Sequence, residues 1–195
     1  MPGFDFTAAV RCVCEDMTGR VAELSHIDMH RVAVGFCQAR KRAPHGLQAS
    51  LTPLRFEGGA KAKRVRGRWF TTQKLVDGSG RDYLYLLQFY LPRFLDHPLE
   101  EKLTTITHEL WHIGPAMDGD LRRHAGRCYA HGASQRAFDE HAAWLGRQWL
   151  KRDPPAGLYE WLTLDFGALA AEHGGVRGQR FPAPKLAPVD AARRG

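Results

Sequence analysis

Thr107-His108-Glu109-Leu110-Trp111-His112-Ile113 is the stretch around which the rest of the chain is organised. It contains His-Glu-x-x-His. Histidines at i and i+4 lie one turn apart on a single helix face, so both imidazoles can reach one Zn²⁺. The Glu beside the first His can stand over a water molecule and take its proton. With ten His and nine Glu in 195 residues, such a pattern arises by accident in about 2% of chains. The flanks strengthen it. Leu99, Leu103, Ile106, Leu110 and Ile113 form one stripe of a helix predicted over 98–113. At about 100° per residue, His108 and His112 fall nearly opposite that stripe. One face can therefore pack on a core while the other looks into a cleft. Pro98, Glu100 and Glu101 suit the helix start, and Gly114-Pro115 ends it.

A catalytic zinc takes three protein ligands and keeps one position open. The third ligand must come from outside the helix. The segment from Asp118 to Gly132 holds most of the candidates. His131 leads, because it follows a loop long enough to return to the helix and precedes Gly132, which permits a tight turn. His124 is the next candidate. Asp118 stands where the short metzincin pattern puts its third ligand, but Pro115 replaces the glycine of that pattern. Glu140 and His141, on a following helix, and Cys128 complete the set.

Working outward, residues 5–24 read as a helix, with Phe6, Val10, Val13, Met17, Val21 and Leu24 at three- and four-residue steps. Residues 31–40 and 46–56 read as strands, Pro53 placing the second at an edge or a strand end. Residues 58–67 read as a mobile basic loop. Two strands, 68–76 and 82–91, are expected to join around Asp77-Gly-Ser-Gly80. Helices are expected at 134–151 and 157–173. These elements predict an α+β fold, a small, mostly antiparallel sheet packed on the helix that carries the motif, with further C-terminal helices. One domain is expected over 1–175 and a Pro-rich extended tail over 176–195.

Charge is concentrated. Residues 31–81 hold twelve Lys or Arg against Glu57 and Asp77, a balance of +10 within a chain of net charge +7. Lys61, Lys63, Arg64, Arg66 and Arg68 form its densest part, so DNA or RNA is a candidate partner. Trp69 and Phe70 adjoin it and can stack on bases. No apolar run approaches the roughly 18 to 20 residues that span a bilayer. That reading gives no membrane role. The N-terminus lacks the basic patch and apolar core of a secretory signal, which points to the cytoplasm. Cys12, Cys14, Cys37 and Cys128 are too sparse for a disulfide framework.

His-Glu-Leu-Trp-His, an irregular stretch of about twenty residues, then His131-Gly132 resembles the SprT-like zincins. The run from Tyr90-Leu-Pro-Arg-Phe through the motif to Gly119-Asp-Leu-Arg-Arg-His-Ala-Gly-Arg-Cys-Tyr-Ala-His131 is still more similar to phage-type metallopeptidases. The resemblance covers roughly residues 30–150 and is specific around 101–131. It implies a zincin-like metallopeptidase in which His108, His112 and His131 hold one zinc and Glu109 is the catalytic base. SprT-type proteins often carry a C-terminal four-cysteine zinc ribbon, whereas this chain has no cysteine after Cys128. Ala133-Ser134-Gln135 follows His131-Gly132 in place of the Pro-Glu-Phe common in that family.

Two functions are therefore compatible with the sequence. One is a zinc-dependent endopeptidase acting on a polypeptide substrate, with a strand beside the cleft, 82–91 or a neighbour, holding extended substrate. The other is a nucleic-acid-associated protein whose zinc is structural. Tyr129, Arg127 and Arg123 lie near the presumed third ligand in sequence, but none is identifiable as an oxyanion-stabilising group.

Overall fold

The computed structural model describes residues 3–39, 46–124 and 134–189. The architecture is α+β, with helices stacked on one face of a small central sheet. Helix α1 (Phe6–Arg20) is capped by Asp5, whose side chain accepts from Ala8 N. Its predicted apolar face, Phe6, Val10, Val13 and Met17, is buried. The central sheet comprises β2 (Val32–Gln38), β3 (Ala49–Pro53) and β6 (Tyr85–Leu91), in the order β2-β6-β3. Strand β6 is the most apolar and occupies the middle. Tyr85, Leu87 and Phe89 alternate toward the helices, together with Val32, Val34 and Phe36 of β2. Leu86 and Ala33 face the other way, onto Leu54, Leu75, Tyr83 and Phe181.

The central sheet is mixed. β2 runs parallel to β6, and β3 is antiparallel to it. The expectation of a mostly antiparallel sheet fails at this pair. The chain between β2 and β6 is long enough to return to the same end of the sheet, which a parallel pairing requires. Pro53 is the last residue of β3, and β3 is an edge strand, as the proline predicts.

Strands β4 (Ala62–Val65) and β5 (Arg68–Thr72) form a hairpin, with β8 (Leu186–Pro188) against the other side of β5. This differs from the sequence reading in two ways. Part of the basic loop is a strand, and β5 pairs with β4 rather than with β6. The reason lies in the turns. Arg66 (φ 47°) and Gly67 (φ 82°) both take positive φ, the geometry of a two-residue hairpin turn. The Asp77 turn also forms, its Oδ1 accepting from Ser79 N and Arg81 N. It is followed by a single bridge, Val76 to Asp82, before the strands part.

Helix α2 (Leu99–Trp111) carries the motif and lies against helix α3 (Gln135–Leu150). Leu103, Ile106 and Leu110 of the stripe are buried, with Ile113 just beyond the helix. Gly146 of α3 faces Leu103 of α2, where an added Cβ would be in ordinary van der Waals contact at 3.5 Å. Thr107 Oγ1 donates across the interface, 2.7 Å from Ala142 O. The predicted helix over 157–173 is broken into α4 (Ala156–Tyr159), a 3-10 turn at Glu160–Thr163 and α5 (Phe166–His173). Asp165 caps α5 by accepting from Ala168 N, which starts a new helix inside the apolar run. The segment beyond 175 contains no helix among the described residues. Its β7 (Val176–Arg177) pairs with β1 (Phe4–Asp5), and Phe181 packs so close to Gly35 that a Cβ there would meet its ring at 2.8 Å.

Candidate metal centre

The two motif histidines face each other at the C-terminal end of α2. His108 Nε2 lies 3.1 Å from His112 Nε2, with the rings 4.8 Å apart. Two nitrogens at about 2.0–2.1 Å from a tetrahedral ion are about 3.3–3.4 Å from each other. The pair is thus spaced nearly as a metal would hold it. Lone pairs brought this close repel unless a proton or a cation lies between them.

Packing holds both rings in place. Phe138 of α3 stacks on His112 at 4.7 Å and meets His108 at 4.8 Å. His108 Nδ1 is 3.0 Å from Asp139 Oδ1. A carboxylate on Nδ1 fixes the tautomer whose Nε2 lone pair is available to a metal, and raises its basicity. The end of α2 is fastened by Arg122. Its backbone N–H donates to His112 O at 2.7 Å, its Nε donates to Trp111 O at 2.9 Å, and its guanidinium lies 3.6 Å over the Trp111 ring. The loop that carries Arg122 is itself anchored on β6. Tyr85 Oη donates to Asp120 O at 2.7 Å and accepts from Gly119 N at 3.0 Å.

Glu109 is only 8% exposed. Its carboxylate accepts a hydrogen bond from the Leu51 backbone, and burial outweighs that bond, pushing its pKa up to about 7. A carboxyl group titrating near neutrality suits a general base. The Leu51 contact follows from the register of β3. Tyr90 N donates to Gln48 O and Leu54 N donates to Leu84 O, so the even-numbered positions bond to β6. The backbone of Ala49 and Leu51 is directed to the open edge, toward α2. An open cleft of about 250 Å³ lies there, lined by Leu47, Gln48, Thr104, Thr105, His108, Glu109 and Asp139. Thr105 Oγ1 donates to Gln48 Oε1 at 2.7 Å and ties the helix to the lip of the cleft.

The candidates for a third ligand are spread around this pair. His124 reaches the same Phe138 ring, at 5.7 Å. Asp118 is directed elsewhere, accepting from Asp120 N and lying against Gly59. Glu140 pairs with Arg136 at 2.7 Å, and His141 is held between Trp111 and Trp144. Among the described residues, no group of three His, Cys, Asp or Glu side chains is assembled to hold an ion. His131 and Cys128 lie outside the described residues, as do Arg127 and Tyr129. Arg123 is bound to Asp120 and lies 3.6 Å from Glu57, which makes it part of the loop's framework.

Asp139 and Phe138 escape a reading of the sequence alone. Asp139 has the pattern of a solvent-facing helix position, and only the packing of α3 on α2 brings it to His108. Lys61, Lys63, Arg64, Arg66 and Arg68 lie on the β4–β5 hairpin and are exposed. No helix among the described residues is long and apolar enough to cross a membrane. Comparison of the chain with protein-family models, with curated proteins and with solved structures finds no significant match.

Proposed function

We propose that this chain is a zincin-like, zinc-dependent metallopeptidase of the SprT-like or phage-type kind. His108 and His112 supply two ligands of one Zn²⁺, His131 supplies the third, and Glu109 acts as general base. The observation that carries this reading is the 3.1 Å approach of His108 Nε2 and His112 Nε2 beside a buried Glu109. Zinc, when bound, supplies a Lewis acid that polarises the scissile carbonyl and acidifies water. Asp139 and Phe138 hold the His108 ring in the orientation that presents Nε2. Glu109 takes the proton of the attacking water and returns it to the leaving amine. Strand β6 is hydrogen-bonded on both sides and cannot add a substrate strand. Its neighbour β3 has no strand partner on its other edge, which borders the cleft at Gln48 and Ala49, so β3 is the strand that receives extended substrate there, the Leu51 backbone being held by Glu109.

A purely structural zinc would suit a closed site. The cleft that opens on His108 and Glu109 favours catalysis instead. The test is hydrolysis of a fluorescently labelled, unfolded polypeptide by the purified chain. Cleavage that a chelator stops and added zinc restores supports the proposal. A zinc-loaded chain that cleaves no member of a broad unfolded-peptide library overturns it.

A further inference from the structure

The β4–β5 hairpin carries a charge pattern that the peptidase reading does not use. Between Glu57 and Asp77 the chain has six cations and no acid. Five of them, Lys61, Lys63, Arg64, Arg66 and Arg68, lie on or beside the hairpin and are exposed. The ion pairs of the surrounding region are made by Arg55, Lys74, Arg81 and Arg123 with Asp82, Asp77, Asp120 and Glu57. Among the described residues, none involves the five hairpin cations.

The register distributes this charge over both faces. Lys63 pairs with Phe70 and Val65 with Arg68, so Lys63 and Arg68 share one face. Arg64 pairs with Trp69 on the other face, and Arg66 occupies the turn. Strand β8 is in register with Phe70 to Thr72, with further bonds from Gln73 N to Lys185 O and from Val189 N to Trp69 O. Among the described residues, the part of the element that reaches beyond β8, from Arg64 to Arg68, is a two-stranded ribbon. It is two residue pairs long, about 7 Å at 3.4 Å per residue, with the Arg66-Gly67 turn at its tip. A ribbon charged on one face fits a flat anionic surface. A ribbon charged on both faces and at its tip fits a groove with phosphates along both walls. The major groove of B-form DNA is about 12 Å wide and admits a two-stranded ribbon, whereas that of an RNA duplex is too narrow.

We propose that the β4–β5 hairpin is a docking arm for duplex DNA, inserting into the major groove with Lys63, Arg64, Arg66 and Arg68 against the phosphate walls. This proposal is independent of the zinc site. It is tested on the full chain by fluorescence anisotropy with a mixed-sequence 20-base-pair DNA duplex, one of its single strands, and the matching RNA duplex, across a salt series. A K63S/R64S variant is compared with R136S/K151S, which removes the same charge from exposed positions of α3 and its end. Neither pair lies in a core, and circular dichroism confirms the fold of each.

For the wild type, the plot of log affinity against log salt should fall with a slope of about −3 to −4, for four phosphate contacts or nearly so. K63S/R64S should reduce that slope by about two and weaken binding about 10- to 100-fold near 0.1 M salt. R136S/K151S should leave both within about twofold. R66D, at the tip, should reproduce the loss. Three results would overturn the proposal: equal losses in the hairpin and α3 variants, binding of single strand or RNA duplex as tight as of DNA duplex, or binding only to phosphatidylglycerol vesicles.

Discussion

Asp139 Oδ1 lies 3.0 Å from His108 Nδ1, joining α3 to the ring that the motif on α2 places in the cleft. The contact sets the tautomer of a proposed ligand from a different helix. D139A should therefore weaken zinc binding about 10- to 100-fold while leaving both histidines in place. Competition with a chromophoric chelator at neutral pH reads this directly. An unchanged affinity would show that His108 is oriented without Asp139.

Glu109 should be dispensable for metal and necessary for chemistry. E109Q keeps the side-chain volume and a polar contact with the Leu51 backbone but cannot accept the proton. Zinc content should stay at the wild-type level while peptide cleavage falls about 10²- to 10⁴-fold. Comparable turnover by wild type and E109Q would remove Glu109 from the mechanism.

Lys102 gives a pH prediction away from the site. It is 1% exposed, and its Nζ donates to Leu162 O at 2.8 Å and Leu164 O at 2.7 Å. Burial lowers its pKa from 10.5 to about 8 against the opposing pull of Asp165 and Asp96. Below pH 8 both the folded and unfolded chains hold the proton, so the cost of the buried ammonium is constant. Between 8 and 10.5 only the unfolded chain holds it, and the Lys102 contribution to stability rises with pH. Urea unfolding of wild type and K102M should show the difference growing in favour of wild type across this window, by up to about 3 kcal/mol. A difference that stays flat from pH 7.5 to 10.5 would contradict the assignment.

Tyr85 should anchor the loop behind the motif. Its hydroxyl serves Asp120 O and Gly119 N, both inside the fold. Y85F leaves those groups without their partner and should cost about 1–3 kcal/mol by urea denaturation. A cost near zero would mean that the loop is held by Arg122 and the Asp120 carboxylate alone.

The parts of the fold that were legible in the sequence are those set by local periodicity and by single strong signals. The α2 stripe, the α1 face and the edge position announced by Pro53 belong to this class. The ribbon was not legible, because Arg66-Gly67 is a weaker turn signal than Asp77-Gly-Ser-Gly80, yet both turns form. The parallel pairing of β2 with β6 depends on the 46 intervening residues returning to the same end, which no local pattern encodes. The break before α5 had a signal in Asp165, a good N-cap inside an apolar run. In the site, the His108–Glu109–His112 geometry follows from helical spacing. Asp139 does not, because its role arises only when α3 packs on α2.

The metal site is tested most directly by zinc per chain, measured by mass spectrometry on purified, metal-reconstituted protein at neutral pH. One zinc in the wild type should be lost in H108A, in H112A and in H131A, and retained in H124A. A wild type that takes up no zinc, or an H112A variant that holds it as tightly as wild type, would contradict a zinc site on α2.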